Sequence, residues 1–410
     1  MNSRTAVASS FLFASLLLLS AGYGVTPAYA NSGTQVATTP LPSTLVSTSA
    51  SVASLPSIVG STTTNGALAS RALRQTCFTN NQFLVFFSDG TNMVYSVSSN
   101  GTDWSTPVAV RPASNGLDFS IWCDGTYVHY GGIDSSGDSV VYRRGSLGSN
   151  GVITWSAPEQ VAVTVAGHTL GAVSVAADSF GYPFVGYRDF TAGGVFVAKS
   201  STNDGTWTTA KGFPFTLERK PTVARIAMVP LTNGKMAAVW AADTTPVYVR
   251  YWNGSNWSPC CPHAVGATVH AFFTAVAQGD NIQIAYLHGY KIEYSEYLFA
   301  YNAFTFPTKI QGDVGSDALP NISLNPTTGD LFIFWTGYPG TNHVYYKNYT
   351  ASSGKWATQP TSWIDESSDG LTANYLSGSF YQAGGGFVGF VYQAGTTSPY
   401  SVKFDYLVVS

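Results

Sequence analysis

Three neighbouring residues in the stretch GYRDF have side chains suited to binding a sugar. Arg188 and Asp189 carry opposite charges, so together they can donate hydrogen bonds to sugar hydroxyl groups and accept hydrogen bonds from them. Tyr187 precedes them and offers a flat aromatic ring on which the apolar face of a sugar can pack. These residues therefore indicate a candidate carbohydrate site.

Other polar and aromatic residues fall in loops that the strand pattern described below places on the same face of the fold. The further ligand-binding candidates are Arg219, Asp118, Asp134, His270, His288, Tyr290 and Tyr338, and the same loops hold Asp89, His168, Lys220, Asp243, Asp317 and Asp369. Two carboxylates about 5–10 Å apart at a pocket favour glycoside hydrolysis, and Asp118 with Asp134 is the pair considered. Asp89-Gly90 and Asp134-Ser135 are also typical of ordinary turns, so no catalytic residue is assigned.

Charge and spacing exclude several other classes of site. No two Cys or His residues have the spacing of zinc ligands, so we predict no bound metal and no cofactor, with a structural Ca²⁺ ion as the open alternative. Lys and Arg number 19 against 22 Asp and Glu, a net charge of −3, which gives no support to nucleic-acid binding. We expect a monomer.

The four cysteines predict disulfides if the chain is exported. Cys77 and Cys123 lie near the ends of the first strands of two successive repeats and would join neighbouring blades. Cys260 and Cys261 are adjacent, and a bond between them would form a rigid knuckle with either a structural or a ligand-binding role. Pairing of one of these two with Cys77 or Cys123 is the alternative.

The elements that must position these residues follow from a repeat of about 50 residues. An aromatic residue returns at Trp104, Trp155, Trp207, Trp257, Phe304 and Trp356. There are seven apolar second strands, such as FLVFF, PFVGY and LFIFW, and a Gly turn precedes most of them. Each is followed by a third strand and, in all repeats but the last, by the strand with the repeated aromatic residue. This period predicts an all-β, seven-bladed β-propeller of four-stranded antiparallel blades, with six blades as the alternative.

The last repeat lacks its fourth strand, because the chain ends at Ser410 directly after the third. An open sheet edge invites unwanted pairing. We therefore predict that part of residues 55–72 supplies the missing outer strand and closes the ring between the two termini.

The N-terminus predicts export. Residues 1–30 have a short basic start, the apolar run FLFASLLLL and the small-residue site Ala28-Tyr29-Ala30, as in a cleaved signal peptide, with an uncleaved anchor as the alternative. Residues 31–70 are a Ser-, Thr- and Ala-rich linker, and residues 71–410 carry the propeller. We predict a secreted, extracellular or cell-surface protein without a membrane span after cleavage. Possible glycosylation acceptors are Asn100, Asn253, Asn256, Asn321 and Asn348.

The hairpins before the tryptophans carry a family resemblance. The segments SNGTDW and NGSNW keep the Gly-x-x-Trp half of the sialidase Asp-box, or BNR repeat, and Thr202-x-Asp204-x-x-Trp207 keeps an acidic residue. Over about residues 75–410 the chain resembles a sialidase-like BNR-repeat propeller, in which the box is a structural turn remote from the active site. Such enzymes bind a substrate carboxylate with three arginines from separate blades. Here no Arg follows Arg250, and Arg188, Arg219 and Arg225 form the one tight cluster.

These observations predict a non-catalytic propeller that binds an extracellular glycan, glycoprotein or other macromolecule. The degenerate boxes and the missing late arginines favour binding over chemistry. A sialidase-like exo-glycoside hydrolase is the first alternative, and a structural protein of the cell envelope is the second.

Overall fold

The structure, a computed structural model, describes residues 51–52, 56–68, 73–219, 224–264, 266–268, 271–316, 318–337, 340–372 and 377–409. The predicted signal peptide and residues 31–50 of the predicted linker lie outside the described residues. The described ranges contain strands and two short 3₁₀ helices, and none of their helices has the length and apolar character needed to cross a bilayer.

The strands of the first half form three complete blades. Strands β1 (Ser51–Val52) and β2 (Ser57–Thr62) come first. Blade 1 contains β3 (Thr76–Thr79), β4 (Gln82–Ser88), β5 (Asn92–Ser98) and β6 (Val108–Pro112). After a 3₁₀ helix at Gly116–Asp118, blade 2 contains β7 (Phe119–Cys123), β8 (Val128–Ile133), β9 (Ser139–Leu147), β10 (Ile153–Trp155) and β11 (Gln160–Thr164). Blade 3 contains β12 (Leu170–Ala177), β13 (Pro183–Asp189), β14 (Gly194–Lys199) and β15 (Phe215–Arg219).

Four further blades complete the ring. Blade 4 contains β16 (Ala224–Pro230), β17 (Met236–Ala242) and β18 (Tyr248–Trp252). Blade 5 contains β19 (Phe273–Gln278), β20 (Asn281–His288), β21 (Lys291–Leu298), a 3₁₀ helix at Phe299–Tyr301, β22 (Ala303–Phe304) and β23 (Thr308–Gln311). Blade 6 contains β24 (Asn321–Leu324), β25 (Leu331–Thr336), β26 (His343–Thr350), β27 (Lys355–Trp356) and β28 (Thr361–Asp365). Blade 7 contains β29 (Ser377–Ser379), β30 (Phe387–Ala394) and β31 (Tyr400–Val408).

Each blade is an antiparallel meander, and the first strands contact one another around the ring from β3 back to β29. The prediction of seven blades is confirmed, and the six-bladed alternative is wrong. Second strands such as β4, β13 and β25 are buried along their whole length because a neighbouring blade packs on each side. This explains why they are continuous apolar runs, whereas the outer strand β6 is largely exposed.

The outer strand differs from the single Trp strand that the repeat predicts. In blades 2, 5 and 6 it is split into two short strands, and Pro158, Pro307 and Pro360 lie at the breaks. Proline has no N–H to donate to the neighbouring strand, so pairing stops there and resumes with a shifted register. In blade 4 the outer strand is reduced to single bridges that join Tyr248 to His263 and Trp252 to Trp257.

The repeated tryptophans lie mainly at the contacts between blades. Their rings approach aromatic rings of the preceding blade with centroids 5.1–5.3 Å apart, in the pairs Trp104–Phe404, Trp207–Tyr142, Trp257–Phe215 and Trp356–Tyr294. Trp155 instead packs on Tyr130 of its own blade. The tryptophan period therefore stabilises the ring by joining successive blades.

The predicted closure by the N-terminal segment is confirmed. Strand β2 pairs antiparallel with β31, in a register that joins Ser57 to Phe404 and Thr62 to Tyr400. The Ser57 hydroxyl also donates a hydrogen bond to the carbonyl of Gly101 at 2.7 Å and accepts one from the Trp104 indole N–H at 2.9 Å. Strand β2 is therefore the outer strand of blade 7, and its Ser57 bonds this blade to blade 1.

Two disulfides are present, and they match the first of the predicted pairings. Cys77 is bonded to Cys123 and joins blade 1 to blade 2, while Cys260 is bonded to its neighbour Cys261. The alternative pairing between these two groups is wrong.

Candidate functional site

Two faces of the ring must be distinguished. The loop face carries the turns between second and third strands and the connections between blades, and it holds the residues predicted to bind ligand. The hairpin face is opposite and carries the turns between first and second strands and between third and fourth strands, such as those at Gly125, Gly329 and Gly354.

The three residues of the GYRDF stretch lie at the loop-face end of β13 and are enclosed by the fold. The Tyr187 ring stacks on Phe196 with centroids 5.5 Å apart, so its face is already covered. Arg188 is 6% exposed and its guanidinium lies 4.2 Å from the centroid of Phe190. Asp189 faces His168 Nδ1 at 2.7 Å and accepts backbone N–H bonds of its own turn. The neighbouring charges are thus not paired with each other.

Arg188 keeps unused hydrogen-bonding capacity among the described residues. Its Nε is buried there without a hydrogen-bond partner, and so is Oδ1 of Asp243, whose charge acts on Arg188. Burial lowers the pKa of Arg188, and the Asp243 charge offsets part of that effect. The predicted role of Arg188 in ligand binding stays a prediction.

The remaining candidates are spread over several blades of the loop face. Asp89 and Asp134 use Oδ1 to accept backbone N–H groups of their own turns, as the turn interpretation predicts. Asp118 lies in the 3₁₀ helix before blade 2, and burial raises its pKa more than the Arg111 charge and the Asn115 side chain lower it. His288 faces Glu293 at 3.0 Å, and Tyr290 is largely exposed.

Arg219 is exposed at the end of β15 and forms no ion pair with another described residue. His270 and Tyr338, with Lys220 and Asp317, lie outside the described residues. None of the described candidates lines the two cavities presented next, and their role in binding remains a prediction. In the described ranges, no group of three or more His, Cys, Asp and Glu side chains is arranged to hold a metal ion.

A groove of about 440 Å³ opens on the hairpin face between blades 5 and 6, and we call it the interblade groove. Its charged lining residue is Glu296 on β21. The other residues that line it are Gln278, Gln283, Tyr294, Thr305, Phe306, Thr308, Gly329, Leu331, Tyr349, Ala351, Gly354 and Trp356. The groove is thus lined by aromatic rings and neutral polar groups around one carboxylate.

The Glu296 carboxylate is held from one side only. Its Oε1 accepts hydrogen bonds from Asn281 Nδ2 at 2.9 Å and from Gln283 Nε2 at 3.0 Å. Its Oε2 makes no hydrogen bond or ion pair within the described part of the chain. The carboxylate is therefore oriented in advance and keeps an oxygen that can accept hydrogen bonds from a ligand.

Aromatic rings form the wall of the interblade groove. The Trp356 ring lies between Tyr294 and Tyr349, with centroids 5.2 Å and 5.5 Å away. Tyr294 donates a hydrogen bond to Gln283, and burial, followed by the Glu296 charge, raises its pKa. Phe306 stands at the rim and is 88% exposed. An exposed ring at the rim of a groove can contact a ligand that enters it.

Strand geometry places the polar and aromatic side chains of the interblade groove together. The pair of Gln283 with Glu296 occurs in blade 5 and differs from the pairs at the same position of the other blades. Tyr294 and Glu296 are two residues apart on one strand and therefore point to the same side. Glu296 pairs across the sheet with Gln283. The corresponding pairs in the six other blades are Leu84–Val97, His129–Arg144, Phe184–Lys199, Ala237–Tyr251, Phe332–Asn348 and Val388–Leu407. The sequence analysis missed this signal, which a comparison of the repeats at the positions of Gln283 and Glu296 would have shown.

A second cavity of about 340 Å³ lies at the mouth of the central channel, also on the hairpin face, and we call it the central cavity. Arg74 closes its inner end by donating hydrogen bonds to the carbonyls of Met228 at 2.9 Å and Ala275 at 3.0 Å. Its guanidinium lies 4.3 Å from the centroid of Tyr381 and 5.2 Å from that of Trp122. Burial lowers the pKa of Arg74 to about 10, so it remains a cation that joins blades 4, 5 and 7.

The known proteins similar to this chain are solved structures of low sequence identity. No family model and no curated protein matches the chain. AofleA from Arthrobotrys oligospora is 14% identical, with 74% of this chain and 89% of that chain covered and a TM-score of 0.49. Aleuria aurantia lectin in complex with alpha-methyl-L-fucoside is 14% identical, with 69% and 92% covered and a TM-score of 0.46. The NanB sialidase from Streptococcus pneumoniae is 13% identical, with 86% and 70% covered and a TM-score of 0.49. At these values the likenesses assign neither a family nor a function.

Proposed function

We propose that this protein binds carbohydrate in the interblade groove, as a secreted or cell-surface module. The observation that carries the proposal is the Glu296 carboxylate, which is fixed by two amide donors. Among the described residues it keeps a free oxygen, beside the exposed Phe306 ring and the half-buried Trp356 ring. Sugar hydroxyl groups would donate to that oxygen, while the apolar face of the sugar ring would pack on Phe306 or Trp356.

The charge of the groove favours neutral sugars. Glu296 is the charged residue among those that line it. A sialic acid or uronic acid would bring a second carboxylate into a partly desolvated site without a cation, and like charges repel there. Neutral hexoses, deoxyhexoses and N-acetylated sugars are therefore the expected ligands.

The groove suits binding better than hydrolysis. Glycoside hydrolases of the usual kind act with two carboxylates on opposite sides of the scissile bond. The groove lining supplies one carboxylate, and the Tyr294 hydroxyl is occupied by its bond to Gln283. The extracellular setting is also part of the proposal, because the bond between Cys77 and Cys123 would be maintained in an oxidising compartment.

A glycan array with the full chain tests this function. We expect selective binding of neutral glycans, which Glu296→Gln weakens about 10- to 100-fold because a charged hydrogen bond is worth about 1.5–3 kcal/mol. Phe306→Ala should also weaken binding. Tyr301→Ala is the matched control, since Tyr301 is an exposed aromatic residue of the same connection that does not line the groove.

Two results would contradict the proposal. Binding that Arg188→Ala abolishes and Glu296→Gln leaves intact would place the site on the loop face instead. An array without any binding by the folded wild-type protein would remove carbohydrate binding altogether.

A further inference from the structure

The central cavity contains a buried carboxylate with an unfilled acceptor. Asp178 directly follows β12, lines the cavity and is 6% exposed. Its Oδ1 accepts the backbone N–H groups of Phe180 at 2.9 Å and Tyr182 at 3.0 Å. Its Oδ2 makes no hydrogen bond or ion pair with any part of the chain that the structure describes. This oxygen is open to the cavity and can accept a hydrogen bond from a ligand there.

The nearest cation does not satisfy Asp178. Lys199 instead donates to the carbonyl of Ser200 at 3.1 Å and lies 4.5 Å from the centroid of the Tyr182 ring. Burial raises the pKa of Asp178, and the backbone N–H bonds and the Lys199 charge only partly offset this. The geometry and the electrostatics agree that the carboxylate lacks a close partner.

A second carboxylate adds negative charge to the same cavity. Asp124 also lines the central cavity, where its Oδ1 accepts the N–H groups of Thr126 and Tyr127 and its Oδ2 faces His129 Nε2 at 3.0 Å. Burial alone would raise the pKa of Asp124, but the hydrogen bond and charge of His129, with the backbone N–H bonds, lower it overall. Asp124 thus already has His129 as a partner, so Asp178 is the cavity carboxylate that keeps an open oxygen among the described residues.

The positive charge of the cavity lies at its inner end. The Arg74 guanidinium donates to the carbonyls of Met228 and Ala275 and lies beside the Tyr381 and Trp122 rings. The lining of the cavity thus combines this cation with the carboxylates of Asp124 and Asp178 and with the rings of Phe78 and Trp122.

We propose that the central cavity is a second binding site, which takes a primary ammonium group carried on a small ring or chain. The ammonium would donate hydrogen bonds to Asp178 Oδ2 and offset the negative charge of the carboxylates. The rest of the ligand would pack on the aromatic wall formed by Phe78 and Trp122. The ammonium of an amino sugar and that of a lysine side chain both meet this description.

Calorimetric titration of the full chain with three related sugars tests the proposal. Glucosamine, glucose and N-acetylglucosamine differ at one position, and a primary amine is protonated at pH 6. We expect glucosamine to bind at least about 10-fold more tightly than either neutral sugar. Equal affinities for the three sugars would overturn the proposal without any variant being needed.

Two variants locate the binding. Asp178→Asn keeps Oδ1 as the acceptor of the turn and removes the charge, so the fold should persist while the preference for glucosamine is lost. Asp103→Asn removes an exposed carboxylate that lines neither the central cavity nor the interblade groove, and it should leave the preference unchanged. A preference that survives Asp178→Asn, or that disappears in Asp103→Asn, would show that the central cavity is not the ammonium site.

The source of the ammonium is distinguished in the same assay. Nα-acetyllysine methylamide carries the ammonium without a sugar ring. Affinity equal to that of glucosamine supports a lysine side chain of a partner protein, whereas affinity about 10-fold lower supports an amino sugar. Because the groove and the cavity are tested by different variants, failure of this proposal leaves the carbohydrate proposal for the groove standing.

Discussion

Asp405 makes the stability of the closing blade depend on pH. It lies on β31, the strand that pairs with the N-terminal β2, and is 2% exposed. Its carboxyl accepts a hydrogen bond from the backbone N–H of Tyr406 at 2.8 Å. Burial raises the pKa of Asp405 to about 7, and the Tyr406 N–H and the Trp363 side chain offset only part of this effect. The folded protein therefore holds this proton more tightly than the unfolded chain does.

The sign and size of the effect follow from proton linkage. The ordinary pKa of the carboxyl is 3.8, so below that pH both states are protonated and the stabilising effect is fully present. As the pH rises towards 7, the unfolded chain loses the proton first, and the free energy of unfolding falls by about 1.4 kcal/mol per pH unit. The total loss between pH 4 and pH 7 is at most about 4 kcal/mol, and it levels off above pH 7.

Urea unfolding of the wild type and Asp405→Asn between pH 4 and pH 8 measures this effect. Asparagine keeps the size of the side chain but does not ionise, so the variant should gain stability relative to the wild type as the pH rises. Asp103→Asn, at an exposed position, is the control, and its stability relative to the wild type should not rise with pH. If the difference between the wild type and Asp405→Asn is the same at every pH, the reasoning from burial is wrong.

Three further predictions concern what holds the ring closed. Deleting residues 57–62 should lower Tm by about 10 °C or more, because blade 7 loses its outer strand, and an unchanged melting curve would contradict the closure. Glu366→Gln should cost about 1–3 kcal/mol in chemical unfolding, because the buried Glu366 carboxylate binds Lys403 at 2.8 Å. Asp369→Asn, on the exposed partner of the same lysine, should cost less, and equal losses would contradict the role of burial. Cys123→Ser should lower the free energy of unfolding by about 2–4 kcal/mol in a non-reducing assay, and no difference from the wild type would show that this disulfide does not stabilise the fold.

The sequence predicted the architecture well because the repeat signal is local. Second strands such as 83–87 and 331–335 are apolar throughout, since each is covered by blades on both sides, and the structure places β4 and β25 there. The closing strand was also predictable, because a fourth strand was missing at the C-terminus. The breaks in the outer strands were not predicted, although Pro158 and Pro360 were visible, because the length of a strand depends on pairing with its neighbour.

The ligand-binding residues named from the sequence stay predictions. Tyr187 was chosen for a flat ring, but Phe196 covers that ring in the folded chain. The interblade groove combines Glu296 with Trp356, residues about sixty positions apart that belong to different blades. The sequence does not show which face of a ring two such residues share.

The order of the strands, the number of blades and the closure by the N-terminal segment were determined by the sequence alone, because hydrophobic period and turn chemistry act over a few residues. The tertiary structure decided which polar groups lie together and which keep free hydrogen-bonding capacity. Glu296 Oε2 and Asp178 Oδ2 are distinguished from other carboxylate oxygens only by their surroundings, which come from neighbouring strands and blades. Burial and hydrogen bonding depend on contacts that are distant in the chain, so the grouping of these polar atoms had to come from the fold.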